Sequence, residues 1–116
     1  MSQSSYSEGI ILNAVTLANG ASGSRAIMLP PGMNRASLIV NLKAAPATSV
    51  AWTITEVDPI DQSTTVGATA SHTSSTQAAA VMSIDVVGRC VLVTWASTGI
   101  STKVNASCYG NVVPAA

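Results

Sequence analysis

Strict alternation of apolar and polar residues in two neighbouring segments constrains the fold more than any other feature. In residues 49–58, SVAWTITEVD, large apolar side chains recur at every second position, and residues 36–44, ASLIVNLKA, do the same with Ile39 as the exception. Period two places successive side chains on opposite faces of a β-strand. The two segments therefore predict a hairpin with one buried face. That face contains Leu38, Val40, Leu42, Val50, Trp52 and Ile54.

A longer hairpin is predicted over residues 89–109, RCVLVTWASTGISTKVNASCY. Two runs rich in β-branched and aromatic residues flank a polar tip at 96–99, where Gly99 can adopt a positive φ. Val93 is expected to join the buried core. This hairpin is the element around which the rest of the chain is expected to be organised.

The two cysteines lie on opposite arms of this predicted hairpin, and two registers are open. A three-residue loop makes Cys90 face Cys108 directly, whereas a two-residue loop slips the register by one and makes Arg89 face Cys108. The second register pairs apolar residues slightly better and is favoured. The N-terminal segment MSQSSYSEG lacks a basic region followed by an apolar one, as a secretory signal would have, so a cytoplasmic chain is expected. Because a cytoplasmic chain keeps its thiols reduced, both cysteines are expected to be buried free thiols; a disulfide would require the facing register.

Shorter strand candidates fill much of the remaining chain. No segment shows a helical pattern with caps, so seven or eight short strands are expected. This pattern predicts an all-β fold, an antiparallel β-sandwich of jelly-roll or Ig-like type. The further candidates are residues 9–18, 25–29, 63–70 within a polar loop at 59–76, 77–87, and an edge strand or frayed tail at 112–116.

Length and composition predict one domain and an associating surface. Residues 1–8, MSQSSYSE, are expected to form a flexible arm, and residues 9–116 a single β-sandwich domain. Hydrophobic residues make up 47% of the chain and charged residues only 9%, so little surface charge opposes self-association. We therefore expect a homo-oligomer. The balanced charge and the lack of a long apolar segment argue against nucleic acid and membrane as partners.

The acidic sequence EVDPID carries Glu56, Asp58 and Asp61, the only acidic cluster in the chain. Neighbouring carboxylates can hold a hard cation such as calcium, but this spacing lacks the glycine and the bidentate glutamate of a calcium loop. A solvated strand end and turn is the favoured interpretation. His72 is the only histidine and cannot form a metal site alone. No metal ion or cofactor is therefore expected.

No pattern of catalytic residues is visible. The chain lacks a GxSxG nucleophile turn, and Gly20 and Gly23 lie in a turn between strands rather than before a helix, as a phosphate loop would require. Trp52 and Trp95 could form a platform for a ligand, but their positions in alternating runs favour packing in the core. The sequence thus predicts a protein that is not an enzyme and has no catalytic, cofactor-binding or metal site.

The order of segments resembles a known class of proteins. A strand with a Gly/Ser turn (VTLANGASGSRAIML), two apolar strands (ASLIVNLKAA and SVAWTITEVD), a polar loop and the segment GRCVLVTWASTGISTKVNASCYG follow one another. Over residues 9–113 this order resembles the small β-sandwich proteins in the virions of tailed bacteriophages. The resemblance implies a capsid decoration (cement) subunit, a homotrimer on the outer capsid surface that contacts the major capsid protein. It also implies a virion location, with assembly in the cytoplasm of the bacterial host.

Two alternatives remain open. The first is a tail, neck or fibre component of the same virion. The second is a carbohydrate-binding β-sandwich, which would need exposed aromatic rings. The aromatic residues available for that role are Trp52, Trp95, Tyr6 and Tyr109.

Overall fold

The structure is a computed structural model that describes residues 6–7, 9–43, 49–98 and 102–113. Nine β-strands run through these residues, which contain no helix. No described segment could therefore cross a membrane as a helix. The strands are β1 (Tyr6–Ser7), β2 (Gly9–Leu17), β3 (Ser22–Met28), β4 (Arg35–Leu42), β5 (Ser49–Val57), β6 (Thr65–Ser74), β7 (Ala79–Asp85), β8 (Cys90–Thr98) and β9 (Thr102–Asn111).

The strands form a two-layer sandwich. One sheet has the order β1-β3-β8-β5-β6 and the other the order β2-β9-β4-β7. All pairings are antiparallel except that of the two-residue β1, which runs parallel to β3. From β2 onward every connection crosses from one sheet to the other, save the one that joins β5 to β6. This order is that of a jelly roll, so the all-β sandwich prediction is confirmed and the Ig-like alternative is excluded.

Both predicted hairpins are wrong. β4 and β5 lie in opposite sheets, and so do β8 and β9. β8 pairs with β3 and β5, whereas β9 pairs with β2 and β4, so neither predicted register between residues 89–98 and 102–109 exists. The physical reason is that alternation identifies the buried face of a strand but not its partner. The predicted tip at Gly99 lies outside the described residues.

The predicted core is confirmed, although its residues come from two facing layers rather than one hairpin. β4 presents its apolar residues to those of β5 and β8 across the sandwich. The Trp52 indole is fully buried, and its Nε1–H donates to Ser74 Oγ at 3.1 Å. All seven predicted core residues are at most 1% exposed: Leu38, Val40, Leu42, Val50, Trp52, Ile54 and Val93.

Several predicted boundaries shift. Most of the loop predicted at 59–76 is strand, because β6 occupies Thr65–Ser74 and pairs with β5. The strand predicted at 25–29 begins earlier, at Ser22. Within the arm predicted at 1–8, the structure describes only the backbone of Tyr6–Ser7, which forms β1. In the tail, β9 ends at Asn111, and the last three residues lie outside the described range.

The cysteines are buried free thiols in different layers. Cys90 opens β8 and packs with Ala26 and Val57 in a small cluster separate from the main core. Cys108 lies in β9 and belongs to the main core between the sheets. Because the two side chains sit in different clusters and on strands that do not pair, the facing register that a disulfide requires is absent.

Candidate functional site

A row of apolar side chains crosses the outer face of the four-stranded sheet. Ile10 of β2 pairs with Ser107 of β9, Ser107 pairs with Ile39 of β4, and Ile39 pairs with Val81 of β7. Ile10, Ile39 and Val81 are 66%, 38% and 64% exposed. The alternation that buries the neighbours of these residues turns these four side chains outward. We call Ile10, Ile39 and Val81, together with Ser107 between the first two, the apolar row.

Amide side chains lie beside the apolar row. Asn41 pairs with Asn105 on the adjacent strand, and Asn13 lies on the edge strand β2. Ala14 has a positive φ of 52° where β2 shifts register, and its backbone N–H donates to Asn105 Oδ1 at 2.7 Å. This bond fixes the orientation of the Asn105 amide. The side chains of Asn13 and Asn41 form no hydrogen bond with any other described residue.

The amides and all of the apolar row except Val81 line a shallow groove of about 300 Å³. Tyr109 of β9, which is 40% exposed, closes the groove at one end. The groove floor is the sheet itself, built from β2, β9 and β4. Its lining residues are Ile10, Leu12, Asn13, Ile39, Asn41, Asn105, Ala106, Ser107 and Tyr109.

None of the residues that line the groove is charged, and the charges on this sheet lie at its ends. At one end Arg35 forms an ion pair with Asp85 at 3.3 Å, with side chains 40% and 82% exposed. At the other end Lys43 and Lys103 are both exposed, and the Lys43 backbone N–H donates to the Lys103 carbonyl. A ligand or partner on this face would meet apolar groups and neutral hydrogen-bonding groups.

Comparison with known proteins gives the fold and no family. The chain matches no known family and no curated protein. Among solved structures it is similar to part of tripeptidyl peptidase 2 (TPP II), at a TM-score of 0.63 and 12% identity over 90% of this chain. The chain spans only 10% of the length of TPP II. This similarity supports the β-sandwich and nothing beyond it.

Two carbohydrate-binding modules are more distant in structure. A family 16 carbohydrate-binding module gives a TM-score of 0.43 and 9% identity, covering 85% of this chain and 74% of the module. A family 6 carbohydrate-binding module gives 0.41 and 15%, covering 82% and 71%. At these TM-scores neither similarity supports an argument about function.

The acidic cluster is divided between two environments. The Asp58 carboxylate accepts the Ile60 N–H, and the Asp61 carboxylate accepts the N–H groups of Ser63 and Thr64 and the hydroxyl of Thr64. The bonds from Thr64 and Ser63 lower the pKa of Asp61 from 3.8 to about 2. These two aspartates form the predicted turn. No group of three or more metal-binding side chains occurs among the described residues.

Glu56 corrects the prediction of a solvated strand end. Its side chain is only 4% exposed, at the end of β5. The carboxylate accepts the Val87 N–H at 3.2 Å and the Gly88 N–H at 2.6 Å, and so anchors the connection between β7 and β8. A Cβ on Gly67 would lie 2.5 Å from Glu56 Oε1, so a larger residue at position 67 would displace this carboxylate. The role is structural, because both oxygens already serve the backbone.

The remaining predicted residues lie away from the groove. His72 is exposed on β6 rather than in a loop. Trp52 is core, as predicted, and Trp95 is partly buried against it with its ring over Gly23, where a Cβ would lie 2.6 Å from the ring. The tryptophans therefore form no ligand platform. Tyr109 is the one aromatic residue among the described residues that line the groove. The sequence offers it as a candidate ring for sugar binding but does not indicate its place in this groove.

Proposed function

We propose that this chain is a non-enzymatic structural subunit of a phage virion, which decorates the outer capsid surface by docking the outer face of its four-stranded sheet onto the major capsid protein. The observation that carries the proposal is the apolar row across the middle of a sheet face whose charges lie at its ends. A contiguous exposed apolar patch rimmed by polar groups is typical of a protein interaction site. The capsid is proposed as the partner because the order of segments resembles that of phage virion proteins.

The apolar row suits docking because its energy comes from burial. Covering Ile10, Ile39 and Val81 would contribute about 25 cal/mol for each Å² of apolar surface removed from water. The amides beside the row can satisfy polar groups of the partner, so the cost of desolvation is limited. The homotrimer expected from the sequence remains a prediction, as does the virion location.

The test is binding of purified protein to capsids assembled without it. Ile39→Glu places a charge at the centre of the apolar row, and we expect it to weaken capsid binding at least tenfold, about 1.4 kcal/mol. The matched control is Ala51→Glu, which adds the same charge to an exposed position of β5 on the other sheet. Ala51→Glu should bind as the unmodified protein does. Equal binding by both variants, or no binding by the unmodified protein, would refute docking through this face.

A second candidate function is binding of a neutral saccharide in the groove. The specific observation is that the amides of Asn13 and Asn41, which form no hydrogen bond with the rest of the described chain, line the same groove as the exposed Tyr109. Amides can bond to sugar hydroxyls in both directions, and an aromatic face can pack on the apolar face of a sugar ring. The absence of charge from the groove lining favours an uncharged sugar over an acidic one.

One pair of variants separates the two functions. Under saccharide binding, Tyr109→Ala and Asn41→Ala should abolish retention on an array of neutral glycans. Under docking, the same variants should change capsid affinity only a few fold, because the apolar row carries the energy. A glycan array that retains nothing, with capsid binding sensitive to Ile39→Glu, would reject the saccharide function and keep the docking function.

A further inference from the structure

The free edge of β6 is the most unusual feature outside the groove. β6 ends the five-stranded sheet and pairs on one side with β5; no described strand pairs with its other side. It is ten residues long, and nearly all of its side chains are exposed. The unpaired side therefore presents a row of backbone N–H and C=O groups to solvent.

The edges on the opposite side of the sandwich are shorter or interrupted. β1 is described for only two residues and pairs with Ile27 and Met28, so the part of β3 without a described outer partner is five residues long, Ser22–Ala26. β2, an edge of the second sheet, is interrupted by register shifts and by the positive φ of Ala14. Short strands and bulges are the usual means by which proteins prevent edge-to-edge pairing. β6 is long, and its single register shift lies near its start, opposite residues 55–57 of β5, so the rest of the strand is regular.

The charge pattern distinguishes this side of the molecule further. Residues 62–84 contain no Asp, Glu, Lys or Arg, and they include all of β6 and most of β7, the edge strand of the second sheet that lies next to it. Charged residues, lysine above all, are the other common means of blocking an edge. In any register, a second β6 placed against the first would set Thr, Val, Gly, Ala, Ser and His72 side chains opposite one another. No pair of like-charged acidic or basic residues would oppose such pairing.

We propose that β6 is a self-association surface, on which the β6 strand of a second copy of this chain pairs in antiparallel orientation. Two copies of one strand that pair antiparallel are related by a two-fold axis perpendicular to the sheet, so the contact closes after two copies. Two five-stranded sheets would then become one continuous ten-stranded sheet. The proposed unit is a dimer, whereas the sequence predicts a homotrimer.

The two-fold axis has a geometric consequence for the groove face. An axis perpendicular to the sheet turns each sandwich in its own plane without inverting it. Both four-stranded sheets therefore lie on the same side of the dimer, and their two apolar rows point in one direction. The proposal does not rest on the function of the groove, because it concerns a different edge of the molecule.

The experiment measures molar mass by light scattering during size-exclusion chromatography, and amide hydrogen exchange of β6. The edge variant is Ala68→Lys/Ser71→Lys, which places lysines at two exposed positions near the middle of β6. The matched control is Thr16→Lys/Ala18→Lys, with the same added charge at exposed positions on and after β2. Because all four positions are exposed, thermal unfolding by circular dichroism should show both variants folded.

We expect twice the 11.7 kDa chain mass for the unmodified protein and the control, and the single chain mass for the edge variant. The β6 amides should exchange slowly in the dimer and faster in the edge variant. A monomeric unmodified protein in the high micromolar range, or an edge variant that keeps the dimer mass, would overturn the proposal.

Discussion

Substitution of Glu56 should destabilise the protein more than its position at a strand end would suggest. In Glu56→Ala the Val87 and Gly88 N–H groups lose their acceptor in a partly buried setting. A hydrogen bond to a charged group contributes about 1.5–3 kcal/mol, and water can partly replace the carboxylate at this rim. We expect the free energy of unfolding to fall by about 2–3 kcal/mol. Glu56→Gln keeps one acceptor oxygen and should lose about half as much.

Urea unfolding monitored by tryptophan fluorescence measures the effect. The matched control is Asp85→Ala, which removes a carboxylate of the same charge from an ion pair with an 82% exposed side chain. An exposed pair is worth less than about 1 kcal/mol. Substitutions of surface residues without specific contacts usually change the free energy of unfolding by less than about 0.5 kcal/mol. If Glu56→Ala changes it by no more than that, the carboxylate does not anchor the β7–β8 connection.

A double-mutant cycle with Gly67 tests the same contact from the other side. A methyl group at position 67 would lie 2.5 Å from Glu56 Oε1, so Gly67→Ala should be destabilising in the unmodified protein. In the Glu56→Ala background the clash with the carboxylate is gone and only the 3.1 Å approach to the Cβ at position 56 remains, so most of that penalty should disappear. Additive effects of the two substitutions would show that Gly67 is required for a reason unrelated to Glu56.

Three further outcomes follow from the structure. Trp52→Ala should lower the free energy of unfolding by about 3–5 kcal/mol in urea titration, and an unchanged stability would contradict its place in the core. Thiol titration should find both Cys90 and Cys108 free after the protein is unfolded without reductant. In the folded protein Cys90 should be unreactive, because burial, and then the charges of Asp58 and Asp61, raise the pKa of its thiol. The pKa of the Asp61 carboxyl, measured by NMR, should be about 2, and it should be higher in Thr64→Val. Because the pKa is lowered in the folded protein, the ionised carboxylate stabilises the fold above the ordinary pKa of 3.8, and this contribution is lost as the pH falls towards 2.

The sequence predicted burial well and pairing badly, and one physical cause explains both. Alternation of Val50, Trp52 and Ile54 states which face of β5 is apolar, and the core follows from that. The alternation does not indicate whether the next apolar strand pairs with β5 in the same sheet or faces it across the core. In this jelly roll most consecutive strands lie in opposite sheets. The segments that were predicted to pair as hairpins are therefore strands of the two facing layers.

The groove could not be predicted, because its parts are distant in the chain. Ile10, Ile39 and Ser107 become neighbours only when β9 lies between β2 and β4. A weak signal was present in Ile39, the single apolar residue that breaks the alternation of β4. An apolar residue on the polar face of an otherwise regular strand is a reason to look for a surface site. The role of Glu56 had no such signal, since its partners are backbone groups of a remote connection.

The position of β9 between β2 and β4 also determines when the protein can function. β2 has no other partner in its sheet, and its bond between Ala14 and Asn105 joins residues 91 positions apart. During synthesis β2 must therefore wait, with its apolar residues unpaired, until β9 has been made. Such non-local pairing makes folding slow and exposes intermediates to aggregation. The apolar row is likewise incomplete until β9 places Ser107 between Ile10 and Ile39, so the docking proposed above requires β9 to be in its sheet.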